Sequence, residues 1–265
     1  MAKKKPLNIR TEPYSEEQDT HVVEIGRKRQ VDFDENYTYV KKGWVFKFLS
    51  RCLYAVAFVI LWPIILKLFY GTRIRGKKNL RALKKSGAVI CFNHVFIHDV
   101  TCLSLAMFPR RMARFLSVPN NFGIPVVKTL VKYFRAVPIP STYSATRKMR
   151  NEVIDMLKKG GSLAVAPEGS QWPYYNKIRD FKVGAFLFAN RASVPILPVV
   201  YCYRRQRGIW LWRKRPCINL QFLPPIPPRD ADGSPKSSAR LMNETHTAMT
   251  VTFDNMLEKE LNKNA

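Results

Sequence analysis

From residue 87 onward, short uncharged runs alternate with stretches of helical period, and this alternation constrains the fold more than any other feature of the chain. Segments 87–92 (GAVICF), 162–166 (SLAVA), 196–203 and 218–222 read as buried strands, and 114–118 and 136–139 as shorter extended pieces. Between them, 100–107, 123–133, 182–191 and 239–261 read as helices. So does 144–159, where Met149, Val153, Met156 and Leu157 recur at helical spacing ahead of the Gly160-Gly161 stop. Strands this short and apolar need cover on both faces, which intervening helices supply. The pattern predicts an α/β fold: a single domain over 71–265, with a central, mostly parallel sheet flanked by helices.

Two segments of different character precede that domain. Residues 1–42 are polar, mixed in charge and aperiodic, lack the apolar core of a secretory signal, and read as a mobile arm. Residues 43–70 are apolar and aromatic. Their charge-free run, 52–66, is fifteen residues long, short of the about 20 that cross a bilayer core, and it contains Pro63. Basic residues flank it on both sides, Lys47 and Arg51 before and Lys67 and Arg73 after, so the positive-inside rule assigns no orientation. Three readings stay open: a monotopic, re-entrant or in-plane helix pair; a single tilted span; a buried core helix. The first two make 43–70 a membrane-associated helical segment ahead of the domain.

Charge narrows the partners. The chain carries 45 Lys/Arg against 19 Asp/Glu, and residues 1–42 hold nine of the former and eight of the latter, so nearly all the excess belongs to the rest. Such a field attracts either nucleic acid or an anionic membrane surface. The run 201–215 (YCYRRQRGIWLWRKR) fits a membrane interface, a solvated hairpin or a nucleic-acid surface. No nucleic-acid fold signature accompanies it, so the expected partner is a phospholipid surface and not nucleic acid. Five cysteines without pairing or ligand spacing read as reduced packing residues, and no metal is expected.

Chemistry concentrates after two of the strands. Asn93-His94 follows the run ending at Phe92, and Asp99 lies five residues on, where a helix begins. Strand ends of this kind carry the sites of open α/β sheets. A carboxylate one turn from a histidine fixes its tautomer and stabilises the imidazolium formed when it takes a proton. The pair lacks a protein nucleophile, so the hydroxyl it would activate belongs to a substrate. The plain alternative is a surface pair with Asp99 capping the helix, and His98 is a competing base. A second turn, Pro167-Glu168-Gly169-Ser170, follows the 162–166 run. Phe181-Lys182-Val183-Gly184-Ala185 and Val194-Pro195-Ile196-Leu197-Pro198-Val199 come after it.

The order of these four blocks resembles the glycerolipid acyltransferase family, in particular the bacterial 1-acyl-sn-glycerol-3-phosphate (lysophosphatidic acid) acyltransferases. The resemblance covers roughly 71–222, and the apolar segment ahead of it matches that family's membrane-docking part. It implies transfer of an acyl chain from acyl-CoA or acyl-carrier protein to the sn-2 hydroxyl of 1-acylglycerol-3-phosphate, a lysophospholipid, giving phosphatidic acid for phospholipid biosynthesis, with no bound cofactor. His94 would be the general base and Asp99 its orienting acid. Asn93, Glu168, Gly169, Ser170 and Lys182 would bind substrate, at the cytoplasmic face of the cell membrane. The chain departs from the family at Ser141 and Gln171, where phosphate-holding arginines are usual, and at Phe96, where a serine is common. Arg135, Arg147, Lys148, Lys177 and Arg179 are candidate replacements. A different lysolipid acceptor, an inactive membrane scaffold and a basic nucleic-acid binder are the competing expectations.

Overall fold

The computed structural model describes residues 7–13, 31–123 and 125–262. Among the described residues seven strands form one sheet: β1 (Arg73–Arg75), β2 (Ala88–Phe92), β3 (Arg114–Ser117), β4 (Ala136–Pro138), β5 (Ser162–Val165), β6 (Ile196–Arg204) and β7 (Cys217–Phe222). Their order is β1-β7-β6-β2-β5-β3-β4, and every pairing is parallel except β6 with β7. Val89 of β2 stands between Leu163 of β5 and Ile196 of β6. All residues of β2 and β6 are buried, which is why their sequences show no apolar–polar alternation. Both sheet edges are three residues long. β4 ends in Pro138, and β1 holds out Arg73 and Arg75 to solvent.

The helices are α1 (Trp44–Leu61), α2 (Lys77–Ala82), α3 (Asp99–Met107), α4 (Pro125–Tyr133), α5 (Tyr143–Lys158), α6 (Gly184–Ala192) and α7 (Ser238–Asn262). α5, α6 and α7 pack on one another and on β5, β2 and β6, while α1 packs on α3 and α4. α5 begins at the cap Thr142, whose Oγ1 accepts the Ala145 N–H at 3.4 Å, and buries the apolar series read from its spacing. Gly87 lets the end of α5 meet the start of β2, because a Cβ there would lie 2.0 Å from the Leu157 carbonyl oxygen. The predicted α/β architecture, with its mostly parallel sheet, is the one observed. β1 and α2 were not anticipated.

The arm reading needs correction where the structure describes it. Phe33, Tyr39 and Val40 are buried, and the Val40 N–H donates to Glu152 at 2.8 Å. Phe33 meets Tyr37 and Phe122 edge to face, a cluster whose irregular spacing hides it from any periodicity search. Arg10 forms a single parallel bridge to Tyr175. Residues 1–6 and 14–30 of that arm lie outside the described residues.

Trp44–Phe69 is one continuous helix of 26 residues, about 39 Å long at 1.5 Å per residue. From Trp62 its ladder widens to the i→i+5 pattern, because Pro63 lacks the N–H that the α pattern needs; the Tyr70 N–H closes it on the Ile65 carbonyl at 2.9 Å. Only Ser50, Tyr54, Ala57 and Leu66 are buried along this length. Trp44, Phe48, Val59, Ile64 and Leu68 are each more than half exposed. A helix pair and a buried core helix are therefore both corrected to a single rod that touches the domain along one narrow stripe.

Candidate active site

β2 and β5 are neighbouring parallel strands, so the turns that follow them emerge side by side at one edge of the sheet. The chain leaving β2 is fastened there by Asn93. Its amide donates to the Tyr201 carbonyl at 2.9 Å and accepts the Tyr201 N–H at 2.7 Å, imitating a strand partner as the backbone turns away. The Tyr201 hydroxyl then donates to the Asp99 carbonyl oxygen at 2.6 Å, tying the first turn of α3 to β6. His98, not Asp99, holds the capping position of α3, and its side chain makes no cap bond.

These restraints bring His94 and Asp99 together, with Nδ1 and Oδ2 2.6 Å apart. Asp99 is 1% exposed at its side chain and His94 18%, so the carboxylate is sealed while one face of the ring meets solvent. A neutral ring whose Nδ1 proton is donated to Asp99 keeps its lone pair on Nε2. Burial works to lower the His94 pKa, but Asp99, by its charge and its hydrogen bond, and then Glu168 outweigh it, and the net shift is upward. Burial lowers that of His98, with Asp99 opposing; its ring stacks edge-on against Tyr70 and Phe96 instead of joining the pair.

Glu168 lies behind the dyad. Its Oε2 accepts the His94 backbone N–H at 3.2 Å and an Arg179 Nη2 proton at 2.9 Å, and its Oε1 accepts the Arg179 N–H at 3.3 Å. Arg179 Nη1 also donates to Ser170 Oγ at 2.6 Å, and Nη2 to the Ser170 carbonyl. Both side chains of the ion pair are essentially unexposed, and burial pushes the Glu168 pKa up even though Arg179 and two backbone N–H groups pull it down. Asn93, Glu168 and Ser170 are residues of the two turns expected to contact substrate. All three side chains are buried on protein partners, where they hold the two turns in place.

Gly169 and Lys182 differ, since both are exposed. Gly169 has φ +81°, and the Lys182 side chain passes so close that a Cβ at 169 would meet its Nζ at 3.1 Å. Gln171, in place of the expected arginine, donates to the Phe96 carbonyl at 3.0 Å and lies 3.4 Å from His94 Nδ1. Of the proposed arginine replacements, Arg179 is engaged by Glu168, and Arg135 sits before β4 at the opposite edge of the sheet. Arg147 and Lys177 are exposed.

An apolar surface adjoins this edge. β6 runs parallel to β2 and past it, so the β6–β7 hairpin projects on the His94 side. Ile209, Leu211 and Trp212 at its tip are each about 60% exposed, and the Trp212 ring lies 5.4 Å from Phe69 at the end of the long helix. Arg213 is buried beneath, over Phe69 and Tyr70, donating to the Phe69 carbonyl, and Trp210 Nε1 donates to the Leu68 carbonyl at 2.7 Å. Ile97, between His94 and Asp99 in the chain, is 48% exposed.

The Acyltransferase family matches residues 71–202, which contain the His94–Asp99 pair and the Glu168 turn. The chain is 28% identical to the chloroplastic 1-acyl-sn-glycerol-3-phosphate acyltransferase BAT2 of Brassica napus, over 49% of this chain and 37% of that one. It is 26% identical to the human 1-acyl-sn-glycerol-3-phosphate acyltransferase beta, over 71% and 67%, and 24% identical to the human lysophospholipid acyltransferase LPCAT4, over 59% and 32%. It thus spans about a third of the length of several curated relatives it matches. Its fold is similar to the crystal structure of the 1-acyl-sn-glycerophosphate (LPA) acyltransferase PlsC from Thermotoga maritima, with a TM-score of 0.53, 22% identity and coverage of 80% and 79%. Sequence match places residues 71–202, which carry the paired turns at one sheet edge, in the Acyltransferase family.

Proposed function

We propose that this chain moves an acyl group from acyl-CoA or acyl-carrier protein to the sn-2 hydroxyl of 1-acylglycerol-3-phosphate at a membrane surface, producing phosphatidic acid. The observation that carries this reading is the His94–Asp99 contact on a partly exposed imidazole. Nε2 takes the proton of the acceptor hydroxyl as its oxygen attacks the thioester carbonyl. Collapse of the tetrahedral adduct breaks the C–S bond, and the departing thiolate recovers the proton from the imidazolium. Asp99 holds the imidazolium between those steps. Glu168 and Arg179 fix the backbone at His94, and Gly169 and Lys182 are the exposed residues that follow β5, on which we place the anionic acceptor.

The 26-residue apolar helix supports membrane association. Its buried stripe runs from Ser50 to Leu66, so the charged domain lies alongside most of it. Crossing a bilayer upright would carry that domain's surface into hydrocarbon, so the helix lies in the plane of the interface, apolar face down. The hairpin tip and Ile97 then face the same surface, which presents His94 to lipid. With a basic surface we assign the cytoplasmic leaflet. Changing Leu211 and Trp212 to Ser is expected to weaken partition of the full chain into anionic vesicles about tenfold. Unchanged cosedimentation would remove the hairpin from the membrane contact.

Gln171 favours a second acceptor reading, a lysolipid whose headgroup needs no arginine fork. A panel of lysophosphatidic acid, lysophosphatidylcholine and lysophosphatidylethanolamine, offered with acyl-CoA and with acyl-carrier protein, separates the two. Highest kcat/KM with lysophosphatidic acid is the expected result. Preference for a zwitterionic acceptor selects the second reading, and no transfer to any of them overturns both.

A further inference from the structure

At the edge of the sheet opposite His94, Lys41, Arg114, Lys132 and Arg135 line one recess together with Tyr37, Tyr39, Phe46 and Ala136. Arg114 opens β3 and Arg135 immediately precedes β4, which pairs with β3, so the strand register itself sets the two guanidinium groups side by side. Arg114 donates to the Lys41 carbonyl, and Arg135 donates to the Met112 carbonyl at 3.4 Å, while Arg135 Nε is buried without a partner. Arg135 holds a positive φ of 67°, an unfavourable conformation for a residue with a Cβ.

Among the described residues no carboxylate lines this recess. Burial first, and then Arg135, push the Arg114 pKa down to about 10, with only the Tyr54 phenol opposing. Burial and then Lys132 and Lys128 lower Lys41; burial lowers Arg135, with Tyr54 opposing and Arg51 adding to the fall. Asp34, Glu35 and Glu152 act on Tyr39 at the wall of the recess, and Glu152 accepts the Val40 N–H, but none of the three lines it. Half-buried like charges without a counterion raise the free energy of the folded state unless an anion enters.

We propose that the mouth of this recess, whose interior of about 10 Å³ admits no more than a water, is a phosphate-binding site separate from the catalytic edge, whose ligand is the phosphate of an anionic lipid headgroup or a free phosphate ion. Paired guanidinium groups suit a tetrahedral oxyanion, and two tyrosines bound the recess, with Lys41 over the ring of Tyr37. Its position favours the headgroup. Phe46, in the first turn of the long helix, forms one wall and stacks on Tyr133 at 5.7 Å, so the recess opens where the apolar rod begins. Only this choice of source rests on the membrane reading, and acyl transfer enters nowhere.

The test uses the full chain and binding readouts alone. Thermal unfolding is followed in sodium phosphate and in sodium chloride of equal ionic strength, and vesicle cosedimentation on phosphatidylcholine with and without phosphatidic acid. Arg114→Gln with Arg135→Gln is compared with Lys158→Gln with Lys159→Gln, which removes the same charge from an exposed helix end. Lys41→Gln serves as a second recess variant should the arginine pair fail to fold. The recess variants are expected to lose about tenfold in affinity for phosphatidic acid vesicles, and the control no more than about twofold. Stabilisation of the unmodified chain by free phosphate, abolished in the recess variants, identifies a small-anion site. A difference seen only on vesicles identifies the headgroup. Equal losses in recess and control variants, with no phosphate-specific stabilisation, overturn the proposal.

Discussion

Changing His94 to Ala is expected to slow acyl transfer about 10²–10⁴-fold, the usual contribution of a positioned general base. Asp99→Asn is the more informative companion, because it keeps the buried volume and removes the charge. His94 is active as a base only when neutral, and its pKa is raised, so activity of the unmodified chain should fall as pH drops through a midpoint above the ordinary histidine value of about 6.5. In Asp99→Asn the largest upward influence is gone and burial lowers the pKa, so the acid limb should move to lower pH while the maximal rate falls. A pH–rate profile of kcat/KM tests both signs. A lower rate with an unmoved midpoint would reduce Asp99 to a structural residue, and a fully active His94→Ala would sink the mechanism. The raised pKa also acts on folding: it contributes stability fully present below about pH 6.5, which is lost as pH rises through the native value.

The second large effect is expected at Arg179. Arg179→Met leaves Glu168 unexposed with its charge unmatched, and removing one partner of a buried pair costs about 3–5 kcal/mol. For a domain of this size that corresponds to a fall of roughly 6–20 °C in the unfolding midpoint. Adding Glu168→Gln should return most of the loss, since the charge needing a partner is then gone, while Oε1 of the new amide can still accept the His94 N–H. Differential scanning fluorimetry of the single and double variants measures this. A single variant within about 1 kcal/mol of the parent would mean that water reaches Glu168.

How much of this was legible in the chain depends on distance along it. His94 and Asp99 are five residues apart across one loop-to-helix turn, so sequence spacing alone brings them within reach, and the structure places them in contact. Glu168 and Arg179 are eleven residues apart across an aperiodic loop, and nothing local marks Arg179 as an ion-pair partner instead of a phosphate ligand. Asn93 and Tyr201 are separated by 108 positions, so only the β2–β6 pairing reveals that Asn93 is structural. The strands β2, β5 and β6 announced themselves by apolar runs. β1, with Ile74 as its one apolar residue, offers no period to read. The long helix was underestimated because its charge-free run stops at Leu66, whereas the rod continues through Lys47, Arg51 and Lys67, whose aliphatic stems extend the apolar surface while their ammonium and guanidinium ends reach water.

The two short sheet edges bear on how copies of this chain behave when crowded. Open strand edges recruit strands from neighbours, and a seven-stranded sheet has two of them. Here one edge closes on Pro138, which has no N–H to offer, and the other carries two exposed arginines that repel the same edge of a second copy. Strand-to-strand aggregation is thereby discouraged at both ends. Self-association outside a bilayer is left to the bare helix and hairpin, so detergent, and not denaturant, should disperse it.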